Sequence, residues 1–154
     1  QPTYTRAPTN TRAPTNTRVP TATRTITPTR TPTTVKYVLT LTASPTTANV
    51  SAGQTTSFVA TLKNAGSGTD TIKVSLATAV MEGWSAKMII DGADRGTGPF
   101  SLSLVAGGTK AITVQIASSA EASPDDVGEA YLNAASTLWP AASASVSFTV
   151  TVKE

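Results

Sequence analysis

Five arginines recur at a step of six at the start of this chain: Arg6, Arg12, Arg18, Arg24 and Arg30. No acid accompanies them, so each guanidinium must look elsewhere for a carboxylate, its best partner. Threonines stand at the half-step between them, Thr9, Thr15, Thr21 and Thr27. Hydroxyls in such Thr/Pro-rich sequence are acceptors for O-linked glycans. The acids lie downstream. Asp125, Asp126 and Glu129 form the densest acidic cluster, and Asp70 stands apart. These four are the candidate partners for the arginines. Asp91 and Asp94 sit in a turn-rich stretch, where two carboxylates without a clear third ligand read better as turn residues than as a calcium site.

Catalysis has little to work with. Histidine and cysteine are both absent, which removes the commonest general base, the commonest metal ligand and all thiol and disulfide chemistry. Paired carboxylates for glycoside cleavage need a cleft, and nothing in the pattern promises one. The reading is therefore non-enzymatic, with no cofactor and no metal. Two tryptophans remain. Trp84 begins a predicted strand and is expected in the core. Trp139 precedes Pro140 in an Ala/Ser-rich stretch between the last two strands; it is expected to be exposed, as an anchor at a subunit interface or as a platform for a sugar. Asn49 opens a lone glycosylation sequon, a weak signal by itself.

The arginines belong to a repeat that reads T-R-x-P-T-x and spans residues 1–34. Pro2, Pro8, Pro14, Pro20 and Pro32 keep the same step, with Pro28 displaced beside Ile26. Tyr4, Val19 and Ile26 are its only large hydrophobes, so it has no core of its own. Proline fixes φ, disfavours helix before it and deletes strand donors. Polyproline II, at three residues per turn, is the expected state. A step of six then places all five arginines on one ridge, about 19 Å apart, and gives the segment a reach of about 105 Å. A compact domain of the remaining length is roughly 35 Å across. The segment is long enough to cross two or three neighbouring domains.

Charge divides with the sequence. Of twelve Lys and Arg, five lie in the repeat and seven downstream; all nine Asp and Glu lie downstream. The repeat carries +5 and the body −2, so copies of the chain are complementary to one another. Arginines this sparse make a poor nucleic-acid patch, and an acidic body would repel a polyanion. No run of eighteen apolar residues exists to span a membrane.

From Val35 to Glu154 apolar and polar residues alternate, the period of half-buried strands. Val35, Tyr37, Leu39 and Leu41 open the series; Phe58 to Leu62, Ile72 to Leu76, Met88 to Ile90, Phe100 to Leu104, Ile112 to Ile116, Val127 to Ala135 and Val146 to Val152 continue it. Glycine, asparagine and aspartate separate the runs. Seven to nine short strands at this spacing predict an all-β, immunoglobulin-like antiparallel β-sandwich over residues 35–154, carrying an extended polyproline-II-like N-terminal tail over residues 1–34.

The runs NVSAGQTTSFVATLKNAGSGTDTIKVSL, EGWSAKM and LVAGGTKAITVQIASSAEASPDDVGEAYLNAAS resemble prokaryotic immunoglobulin-like surface modules of the NEW3/CARDB type. The resemblance rests on Gly53, on Asn64 with Gly66, on Gly83 with Trp84, and on Leu104 with Gly107. It covers about 105 residues of the body. It implies a sandwich used as a spacer, an adhesive module or a surface-layer or filament part. A chain opening on Gln1 and rich in Thr and Pro is expected to be a secreted, cell-surface protein whose signal peptide has been removed. The expected function is a structural subunit of an extracellular, pilus-like filament. Its partner is itself, through a glycosylated tail lying on neighbouring subunits; a variant has Thr23–Thr34 donate an edge strand. The alternative is a non-catalytic binding or spacer module joined to a larger secreted protein by the Pro/Thr linker.

Overall fold

The computed structural model describes Thr3, residues 33–79 and residues 82–154. The arginine series and Thr9, Thr15, Thr21 and Thr27 lie outside these residues. The body forms one compact unit, Thr33–Glu154.

Ten strands build it: β1 Leu39–Ala43, β2 Thr47–Val50, β3 Thr55–Asn64, β4 Asp70–Ala79, β5 Ser85–Ile90, β6 Ala93–Gly96, β7 Phe100–Leu104, β8 Thr109–Ala117, β9 Val127–Ser136 and β10 Ser143–Val152. One sheet runs β1-β3-β8-β5-β6 and the other β2-β10-β9-β4-β7. Each pair is antiparallel except β2 with β10, which is parallel. This is an immunoglobulin-like sandwich, with the first strand split so that β1 joins one sheet and β2 the other.

Alternation decides the layers, because successive side chains on a strand face opposite ways. Phe58, Ala60 and Leu62 of β3 and Ile112, Val114 and Ile116 of β8 are fully buried. They meet Ile72 and Val74 of β4, Leu132 of β9, and Phe148 and Val150 of β10, all likewise buried. Phe58 and Phe148 stack across the sheets with ring centroids 4.9 Å apart. Each large side chain so buried contributes about 1.5–3 kcal/mol. The outward positions carry mainly Ser, Thr and Ala.

The structure differs from the sequence expectation at three places. Residues 33–38 alternate like a strand but are not one; they run beside the β3–β4 connection, where Lys36 N donates to Ser67 Oγ at 2.9 Å and Ala65 N to Val38 O at 2.8 Å. The short strands β2 and β6 were not expected. Both lie at sheet edges, where four residues give too few alternations to register as a pattern.

Candidate subunit interface

Strand register defines two ends of the sandwich. At the first, Leu39 pairs with Asn64, Lys63 with Thr109, Asp70 with Leu104 and Ile72 with Ser136. At the second, Thr55 and Ser85 both pair with Ala117, and Val127 pairs with Thr151. The repeat joins the body at Thr33, beside the first end.

Asn64 holds the first end together. Its side chain is buried, donates from Nδ2 to Gly68 O at 2.8 Å and to Leu104 O at 2.9 Å, and accepts from Gly66 N at 2.9 Å. Its backbone receives Gly107 N and donates to Gly108 O. Two turn motifs forty residues apart, at Asn64 and at Leu104 with Gly107, are therefore one hydrogen-bonded knot linking the sheets. Gly66 needs to be glycine because a Cβ there would collide with Lys36 O.

Trp139 lies at the same end, in the β9–β10 connection. It is 58% exposed, and Leu138 beside it is 57% exposed. Ser136 fixes this loop: its Oγ accepts from Trp139 N at 2.9 Å and from Leu138 N at 3.2 Å while donating to Asp70 Oδ1 at 2.8 Å. Trp139 and residues Thr34–Val38 line an apolar groove of about 490 Å³.

Asp70 corrects the sequence expectation. Its exposure is 0%, with Oδ1 on Ser136 and no hydrogen-bond partner for Oδ2 among the described residues. An arginine of another copy cannot reach it without opening the fold. The isolation of Asp70 in sequence hid this; only its register opposite Leu104 puts it inside.

The other three candidate acids stand together at the second end. Asp125 pairs with Lys153, Asp126 Oδ2 accepts from Ser123 N at 2.7 Å, and Glu129 accepts from the Tyr131 hydroxyl. Glu129 beside it pushes the Tyr131 hydroxyl above its usual value of 10.0, through the hydrogen bond first and then through its charge. A carboxylate has room for about four hydrogen bonds, so these contacts orient the acids without saturating them. Glu82, Glu121 and Glu154 border the same end in sequence position, which places six of the nine acids there against Lys87 and Lys153. Lys36, Lys63, Lys73 and Lys110 lie in the first half. The fold turns a scattered sequence of charges into an axial polarity.

Asp91 and Asp94 are committed to lysines. Lys110 Nζ reaches both Asp91 oxygens at 2.8 and 2.9 Å, and Lys87 Nζ reaches Asp94 Oδ2 at 2.8 Å. Among the described residues no three His, Cys, Asp or Glu side chains gather as a metal-binding group. No helix among them is long and apolar enough to cross a membrane.

No family model matches the sequence, and no curated protein matches it. Solved structures do. A family 123 glycoside hydrolase from Clostridium perfringens superposes with a TM-score of 0.50 at 8% identity, over 77% of this chain but 27% of that one. The chain thus spans about a quarter of that hydrolase. A conjugative transposon lipoprotein from Bacteroides eggerthii gives a TM-score of 0.49 at 18% identity, over 75% of this chain and 98% of the other. A PapD-like domain of human CEP192 gives 0.43 at 13% identity, over 87% and 95%. Likeness at these identities concerns the fold alone.

Proposed function

We propose that the chain is a structural subunit of an extracellular, pilus-like filament, in which the N-terminal repeat of each copy binds the bodies of its neighbours and carries O-linked glycans. The observation that carries this reading is the charge polarity of the body. The body begins at Thr33 beside the lysine-rich end, and six of the eight acids outside the core sit at the opposite end, Asp91 and Asp94 being paired with lysines. Ten-residue strands put about 33 Å between the two. Stacking copies end to end brings the acids of one body against the root of the next copy's repeat. Asp125, Asp126 and Glu129 then meet Arg30, Arg24 and their successors. One exposed ion pair contributes about 0–1 kcal/mol. Five on one tethered strand add through effective concentration.

Electron microscopy and sedimentation of the full chain, beside a chain trimmed of residues 1–32, test the reading. Fibres from the full chain and monomers from the trimmed one are expected. Fibres from the trimmed chain would refute the role given to the repeat. A full chain that stays monomeric at every concentration would leave the spacer-module alternative in possession.

A further inference from the structure

Among the described residues, three of the eight exposed large hydrophobic side chains gather at one place. Val35 is 47% exposed and Val38 44%, and they line the groove at the first end with Trp139, while Leu138 stands next to Trp139 in the chain. Elsewhere the outward positions are mainly Ser, Thr, Ala and Lys, so a clustered apolar patch here marks a binding surface. Its walls are held: Ser67 and Ala65 fix one side, and Ser136 fixes the other.

We infer that this groove binds the proline ridge of the N-terminal repeat from a second copy. The inference rests on the filament reading and adds to it a contact that is apolar rather than ionic. Tyr37 and Trp139 with two valines make the aromatic-lined slot into which polyproline II segments dock, because prolines offer a stiff apolar edge at little entropic cost. The charges agree. Lys36 is the charged residue of the lining, so it repels arginine. In a polyproline II segment Pro8, Pro14 and Pro20 would form a ridge one third of a turn from the arginine ridge, letting the prolines enter while the guanidiniums point out. Length agrees as well. A body of roughly 35 Å is matched by about eleven residues of the segment. A repeat that starts at the acidic end of the next body therefore presents Pro20, Pro14 and Pro8 on reaching that body's groove.

The test is an NMR titration of the 15N-labelled full chain with a synthetic peptide of residues 7–24. The Trp139 indole N–H and the amides of Tyr37 and Val38 should shift to saturation. Trp139→Ala should weaken binding about tenfold or more, with Tyr37→Ala as the second variant should the first fail to fold. A peptide with its prolines changed to alanine should lose the Trp139 shift, and one with its arginines changed to glutamine should keep it. Shifts confined to Asp125, Asp126 and Glu129 would overturn the groove and leave the filament reading intact. No shift at any residue would overturn both. A Trp139 signal that moves with protein concentration alone would assign the patch to body–body contact and overturn the inference.

Discussion

Ser136 donates its hydroxyl hydrogen to Asp70 Oδ1 at 2.8 Å, and both residues are buried. The same oxygen collects the amides of Leu138 and Trp139. One hydroxyl thus anchors the exposed tryptophan loop to β4. Ser136→Ala strands one buried acceptor and two amides at once. An unsatisfied buried group costs about 1–3 kcal/mol, and the amides can turn partly to water, so a loss of about 2 kcal/mol is expected by urea denaturation. Asp70→Asn should be nearly neutral, because it keeps the Oδ1 acceptor for Ser136 and replaces only Oδ2, which has no hydrogen-bond partner among the described residues.

Trp84 and Gly128 supply a second relationship of this kind. A Cβ at Gly128 would run into the Trp84 ring, standing 2.5 Å from Cζ3. The indole, in the connection just before β5, rests on the bare backbone of β9. Gly128→Ala should cost about 1–3 kcal/mol, the usual penalty of overpacking. Combining it with Trp84→Leu should return part of that loss, so a double-mutant cycle should give a coupling of about 1 kcal/mol. Strict additivity would show that the ring is free to move aside.

The sequence made the long strands legible because β3, β4, β8, β9 and β10 each run nine or ten residues, enough periods for alternation to stand out. It also placed Trp84 inside and Trp139 outside, since each position followed from its strand or loop context. It misplaced Asp70, because whether a strand's first residue is covered depends on which partner lies across, here Leu104 and Ser136. Residues 33–38 misled for the opposite reason. Val35 and Tyr37 alternate with Lys36 and Val38, but the β3–β4 loop occupies the edge that a strand would need. The charge polarity was invisible in the linear order, where Glu82 of the second end precedes Asp91 and Lys110 of the first half follows Asp94.

Asp94 provides a pH test. The hydrogen bond from Lys87 Nζ, then that from Gly96 N, holds its carboxyl below the usual value of 3.8. The folded state therefore binds this proton less readily than the unfolded chain. The resulting stabilisation is present above about pH 4 and disappears as pH falls below 3.8 through the folded value. Lys87→Met removes the larger cause. Carbon-detected NMR titration should then show the Asp94 carboxyl moving up toward 3.8, held down only by the Gly96 amide. An unchanged titration would mean that the Lys87 contact does not persist in solution.

The acidic end should govern assembly more than folding. Asp125, Asp126 and Glu129 are joined to Lys153, Ser123 and Tyr131 by single exposed contacts, so their loss should leave stability within about 0.5 kcal/mol. Asp125 has φ +68, a left-handed conformation that asparagine accepts as readily as aspartate. The triple change Asp125→Asn, Asp126→Asn and Glu129→Gln is therefore a clean removal of charge. At about 0–1 kcal/mol per pair, it should raise the concentration needed for fibre growth roughly tenfold. Salt supplies the control. The screening length falls from about 10 Å at 0.1 M to about 3 Å at 1 M, so the native chain should assemble less well as salt rises, and the triple variant should respond little. Equal salt sensitivity in both would place the arginine contacts on other carboxylates, with Glu82, Glu121 and Glu154 next to be changed.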